Sequence, residues 1–174
     1  MRFIAAPWRW RFITGADKRP GCVFCRAVAA PNEAESLVVH VGRRFFVLLN
    51  RYPYATGHLM IAPIAHVDSP ERIAPAESLE MWELLHTAMA AIRREFSPDG
   101  FNVGMNVGGA AGAGIKDHCH LHLVPRWQGD ANFMAVVGET RVMSYDLEEV
   151  YRRLRRAFGT ADPAGSPAPV EEKS

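Results

Sequence analysis

Residues 116–127 read Lys-Asp-His-Cys-His-Leu-His-Leu-Val-Pro-Arg-Trp. They place three of the chain's seven histidines, His118, His120 and His122, at every second position. Successive side chains of a β-strand point to opposite faces. The three imidazoles then share one face, while Cys119, Leu121 and Leu123 share the other and turn toward a core. Imidazole fills a core poorly, and three charged rings would repel one another. A solvent-facing strand that merely carries histidines is therefore the weaker reading. Two chemistries suit the trio. One is a three-histidine metal site with an open coordination position. The other is nucleophilic catalysis, because a neutral imidazole near pH 7 attacks phosphorus well and also leaves well. The preceding stretch, Gly-Gly-Ala-Ala-Gly-Ala-Gly at 108–114, favours the second. Backbone N–H groups of such loops form concave anion sites, and glycine lets a phosphate approach closely.

The elements that must position this strand are legible around it. Residues 37–49, LVVHVGRRFFVLL, form two β-rich runs broken at Gly42-Arg43, a hairpin signal. RYPYATG at 51–57 is a turn, and HLMIAP at 58–63 is a further strand ended by Pro63. Residues 76–96 predict a long helix, with Leu79, Trp82, Leu85, Met89 and Ile92 at three- and four-residue steps and a stop at Ser97-Pro98. FNVGMNV at 101–107 alternates as a strand, HCHLHLVPR at 118–126 is another, and 146–157 is a second amphipathic helix. Connections are mostly short, which favours antiparallel neighbours. The expectation is an α+β domain, an antiparallel sheet of about five strands carrying two main helices. It spans residues 1–158, with 1–21 irregular and 159–174 a disordered tail by composition.

Length is that of one domain with a sizeable core. Lys plus Arg is 20 against 19 Asp plus Glu, a balance that gives no reason to expect a nucleic-acid or membrane-surface partner. No apolar run reaches the roughly 18 residues of a membrane span. The opening MRFIAAPWRWRF does not read as a signal peptide, so a cytoplasmic protein is expected. An odd number of cysteines, three, does not suggest a disulfide framework.

His118-Cys119-His120-Leu121-His122-Leu123-Val124 resembles the histidine triad pattern, with cysteine counted as apolar. LLNRYPYATGHLMIAP at 48–63 resembles that family's nucleoside-binding segment. FNVGMNVG at 101–108 resembles the strand before its phosphate loop. The resemblance covers roughly residues 20–137 and implies the histidine triad fold and an activity that cuts nucleotides at the α-phosphate. It implies that His120 attacks the phosphorus and carries a nucleotidyl group covalently. It likewise implies that His122 contacts phosphate oxygens and helps the leaving group, that His118 supports the site, and that His58 contacts the bridging or phosphate region. Asn50 would hold the ribose, with Leu48, Leu49 and Met60 near the base. Asn106 and the backbone of Gly114 and Ile115 would hold the phosphates. The Ser or Thr hydroxyl that many relatives place near Ile115 is absent. No P-loop pattern is present, and the covalent route requires no catalytic metal.

Cys22 and Cys25 stand at C-x-x-C spacing. Zinc, a redox pair and coincidence remain open for them. A zinc site needs two more ligands, and similarity to triad proteins carrying this motif implies His66 and His118, in a structural role. HLVPRWQGDANF at 122–133, with APWRWRFI near the start, resembles the bacterial branch of the family that phosphorolyses diadenosine tetraphosphate. That branch would pass AMP from His120 to inorganic phosphate. Arg126, Trp127 and Asp130 are candidates for the acceptor or distal-phosphate site, with simple packing an equal reading for Trp127. The alternatives are a hydrolase of diadenosine polyphosphates or nucleoside phosphoramidates, and a nucleotide-binding module with little turnover. The resemblance also implies a homodimer.

Overall fold

The computed structural model describes residues 20–130 and 145–159. The expectations for MRFIAAPWRWRFI, for the Ala-Asn-Phe at 131–133 and for residues 160–174 lie outside the described residues. The strands β1 (Val38–Val41), β2 (Phe45–Leu49), β3 (Leu59–Pro63), β4 (Gly100–Met105) and β5 (Leu121–Arg126) form one sheet in the order β1-β2-β3-β5-β4. Every neighbouring pair is antiparallel, so the α+β expectation holds. The helices are α1 (Val23–Ala29), α2 (Pro75–Phe96) and α3 (Leu147–Gly159). The two long ones were expected and the seven-residue α1 was not. No helix among the described residues is long and apolar enough to cross a membrane.

The central strands β2 and β3 are buried at every position because both faces of the sheet are covered. This is why FFVLL and LMIAP read as continuous apolar runs rather than alternating ones. On one face α2 and α3 close the main core, which holds Phe45, Val47, Leu49, Leu59, Ile61, Leu121 and Leu123 from the sheet. On the other face α1 covers a smaller cluster of Phe24, Ala27, Val38, Phe46, Leu48, Met60 and Ala62.

The buried stripe of α2 differs from the expected one. Leu79 and Trp82 are exposed, while Leu84, Leu85, Ala88, Ala91 and Ile92 are buried. Alanines let the helix approach the sheet closely, and a reading that weighs only large side chains misses that stripe. The helix stops at Ser97, whose N–H still reaches the Arg93 carbonyl at 3.0 Å and whose left-handed conformation (φ 46°) then turns the chain out of the helix.

Between β1 and β2 the tight hairpin turns on a buried carboxylate. Glu80 of α2 accepts the N–H groups of Arg43 at 2.6 Å and Arg44 at 3.1 Å. A Cβ on Gly42 would stand 2.3 Å from the Glu80 Oε1 atom, which is why glycine is needed there.

Candidate active site and metal cluster

The histidine strand is shorter than its alternation suggests. Pairing to β3 begins at Leu121, which faces Ile61, so His118, Cys119 and His120 precede β5. They are tied instead by the Cys119 N–H to the Val67 carbonyl at 2.7 Å. Leu121 and Leu123 enter the main core as expected. His118 and His120 are buried and His122 is half-buried. Across the sheet, Leu48, Met60, His122 and Gly104 stand in register. The space above Gly104, where a Cβ would stand, is open, so His122 has an uncrowded neighbour on the β4 side.

Hydrogen-bond partners assign the tautomer of each ring, because a carbonyl only accepts and a backbone N–H only donates. His120 Nδ1 lies 2.9 Å from the His118 carbonyl. That nitrogen carries the proton, and Nε2 keeps a lone pair. His58 Nδ1 receives the Tyr54 N–H at 3.0 Å, so His58 is protonated on Nε2. Its Nε2–H then donates to His122 Nδ1 at 3.0 Å, which leaves the proton of a neutral His122 on Nε2. Asn50 supports this chain from behind. Its Oδ1 accepts the Tyr52 N–H at 2.9 Å, so its amide nitrogen faces His58 Nδ1 at 3.3 Å. The Tyr54 ring stacks on His58 with centroids 4.9 Å apart. The result is a bare nitrogen on His120 beside a donor N–H on His122, with ring centroids 4.8 Å apart.

Burial keeps these rings neutral. It lowers His58 to about 3, with the neighbouring His122 and His120 adding to the effect. It lowers His122 to about 4, with His120 adding. His118 and His120 are also pushed down, chiefly by burial and partly offset by their carbonyl partners. Four histidines can therefore share one site near pH 7 without repulsion.

Cys22, Cys25, His66 and His118 converge at the other end of the trio. Their candidate ligand atoms lie within 4.8 Å of one another and could hold a metal ion. Cys22 Sγ is 3.3 Å from His118 Nδ1, Cys25 Sγ is 3.3 Å from His66 Nδ1, and Cys25 Sγ is 3.7 Å from His118 Nδ1. A tetrahedral centre with N and S bonds of 2.0–2.3 Å sets its ligand atoms about 3.5 Å apart, so the spacing fits. His118 Nε2–H donates to the Pro63 carbonyl at 2.8 Å, which turns its Nδ1 lone pair to the cluster and orients the ring. Without an ion, burial and the Cys22 thiol push the Cys25 thiol up.

The other expected residues divide. Leu48 and Met60 lie on the histidine face, and Ile115 packs against the same cluster. Leu49 belongs to the main core on the opposite face, because it is one residue out of phase with Leu48. Asn106 follows β4 directly. The glycine loop folds into a short 3-10 turn at Gly109–Ala111, with Gly108 and Gly112 at φ 78° and 83°, and Gly114 lies just beyond it. His58 is fully buried beneath His122, so it reaches a substrate only through that ring. Arg126 is committed elsewhere: its Nε and Nη2 grip Asp130 at 2.6 and 2.7 Å, and Nη1 reaches Asn102 at 2.7 Å. Trp127 donates its indole N–H to the Phe96 carbonyl at 3.2 Å, closing the end of α2. Sequence reasoning did not find Tyr54 or Phe24. Tyr54 acts through a backbone N–H, which leaves no mark in residue type. Phe24 lies between the two cysteines, and an apolar residue inside a C-x-x-C was the available signal.

The HIT domain model matches residues 31–129, and the chain belongs to that family. An AP-4-A phosphorylase of Mycobacterium tuberculosis is 40% identical over 123 residues, covering 71% of this chain. The match spans 63% of that relative, less than two thirds of its length. Among solved structures, a Zn-bound histidine triad family protein from Mycobacterium smegmatis superposes with a TM-score of 0.66 at 29% identity, over 83% of this chain and 98% of that one. A histidine triad nucleotide-binding protein from Sulfolobus tokodaii, 21% identical over 79% and 92% of the two chains, shares the fold with a TM-score of 0.63.

Proposed function

We propose that the chain is a nucleotidyltransferase acting at the α-phosphate of dinucleoside polyphosphates, with diadenosine tetraphosphate as substrate and inorganic phosphate as acceptor. The observation that carries this reading is the His120 ring: neutral, buried, protonated on Nδ1 by its bond to the His118 carbonyl, and bare on Nε2. Nε2 attacks the α-phosphorus and forms a P–N bond as the P–O bond to the departing ATP breaks. The resulting imidazolium keeps its Nδ1–H on the His118 carbonyl, whose negative end stabilises the new positive charge. His122 offers its Nε2–H to the phosphate oxygens. Phosphate then attacks the same phosphorus, releases His120 as a neutral ring and gives ADP. The similarity to the mycobacterial phosphorylase supports substrate and acceptor.

A second reading, hydrolysis, rests on one observation. The Arg126 guanidinium, expected beside an acceptor anion, is already held by Asp130 and Asn102. Incubating the protein with diadenosine tetraphosphate, with and without phosphate, separates the two. ATP plus ADP formed only with phosphate supports the phosphorylase, and ATP plus AMP regardless of phosphate supports the hydrolase.

Zinc belongs to this proposal as the ion of the Cys22, Cys25, His66 and His118 cluster. The sulfur–nitrogen donor set and the Zn-bound relative support it. Bound there, it would tether α1 to the segment that carries His118. A homodimer also belongs to the proposal, with β4 at an edge of the sheet among the described residues, and sedimentation would test it.

A further inference from the structure

The proposed nucleophile needs more than its hydrogen bond. The bond from His120 Nδ1 to the His118 carbonyl fixes one point of the ring, but the terminal torsion of histidine is broad and roughly two-fold. Something must hold the ring's face. Phe24 does so from outside the triad. Its ring lies 4.7 Å from that of His120, tilted 38°, and 5.0 Å from that of His118, tilted 42°. It is fully buried and braced from β2 by the edge of Phe46 at 6.5 Å. It also sits between Cys22 and Cys25. The cysteines reach the metal cluster while the residue between them turns inward to the histidines.

We infer that Phe24 is a positioning residue for His120: its ring, carried on the cysteine clip, holds the imidazole so that Nε2 faces the phosphorus. The clip and the nucleophile are then one mechanical unit, joined by the Phe24 ring and by the His118 carbonyl. This rests on the reading of His120 as nucleophile. A displacement of about 1 Å in a reacting group costs on the order of a hundredfold in rate, so a loosened ring lowers kcat more than it weakens binding.

The test compares Phe24→Leu with Phe46→Leu in the full chain loaded with zinc. Both remove a fully buried ring from the same cluster, but among the described residues the ring contacts to His118 and His120 are made by Phe24, and Phe46 contacts the Phe24 ring. For Phe24→Leu we expect kcat and the single-turnover rate of His120 nucleotidylation to fall roughly ten- to a hundredfold. KM should stay within about twofold and metal stoichiometry unchanged. For Phe46→Leu we expect a lower melting temperature with kcat within about threefold. Nitrogen-15 ring spectra of His120 without nucleotide should show one tautomer in the wild type and a mixture in Phe24→Leu. Equal losses in both variants, or a single wild-type tautomer with wild-type kcat in Phe24→Leu, would overturn the inference. If Phe24→Leu does not fold, Phe24→Met, whose flexible side chain fills the space without a flat face, carries the same comparison. If the wild type forms no His120 adduct, the nucleophile reading fails, and the ring spectra still decide whether Phe24 orients His120.

Discussion

At the scale of single residues, the site is governed by which nitrogen of each ring holds a proton, and that is set by groups that cannot exchange roles. A backbone carbonyl sets His120 and a backbone N–H sets His58. Asn50 is the side chain other than histidine in this chain of donors, and its amide nitrogen faces His58 Nδ1. Asn50→Asp replaces that donor with an acceptor. The carboxylate should draw a proton to Nδ1, raise His58 above its present value of about 3, and leave His122 facing a charged neighbour. We expect kcat to fall about tenfold with its acid limb moved to higher pH. A change confined to KM would contradict this and return Asn50 to ribose binding alone. His120→Ala should abolish turnover while nucleotide binding persists, as equilibrium dialysis would show. Retained turnover would remove His120 from the covalent role. The spacing of His118, His120 and His122 made the trio legible, because alternation needs no tertiary information. The links from Asn50 and Tyr54 to His58 were not legible, since they depend on how the turn at 51–57 folds back.

At the scale of elements, short pieces held by tertiary contacts were the hardest to read. A seven-residue helix such as α1 is marginal on propensity alone. It persists through Phe24 and Ala27, buried against the sheet. The β1–β2 hairpin was legible from its two apolar runs and Gly42, but its anchor was not. Glu80 lies in α2, 37 residues from Arg43 in sequence, and looks like any charged helical residue. Glu80→Ala would leave two N–H groups of the turn without their partner. We expect a loss on the order of 1–3 kcal/mol in urea unfolding, with the histidine site intact. A stability unchanged within error would mean that water replaces the carboxylate. The short β5 is a similar case. Alternation continues through His118 and His120, but the ladder to β3 does not. Sequence pattern reports which face a residue takes, not where its partner strand ends.

At the scale of the molecule, buried neutral histidines tie stability to pH. His58 and His122 protonate at about 3 and about 4 when folded, against an ordinary 6.5. Between those limits the unfolded chain binds the protons and the folded chain does not. Stability is therefore full above about pH 6.5 and falls as the pH drops toward 4 and then 3, by an amount on the order of a few kcal/mol. Urea midpoints across pH 4–8 should decline on the acid side, with metal content followed in parallel to separate metal release. A flat profile would mean that the site opens to water. Removing the zinc proposed for the Cys22, Cys25, His66 and His118 cluster would act on the other end of the trio. Chelation should lower the melting temperature and broaden the His118 and His120 ring signals, because Cys22 and Cys25 then no longer hold α1 against them. Unchanged spectra would confine the cluster to a local role.

The central claim is that His120 carries the nucleotidyl group, and one experiment meets it directly. The protein is mixed with diadenosine tetraphosphate without phosphate, quenched in base to preserve a P–N bond, and digested with trypsin. The peptide 117–126, which holds all three triad histidines, is then sequenced by fragmentation mass spectrometry. The expected result is one adenylyl group on His120, chased to ADP when phosphate is added before the quench. An adduct on His118 or His122, or turnover with no adduct at any time point, would contradict the account.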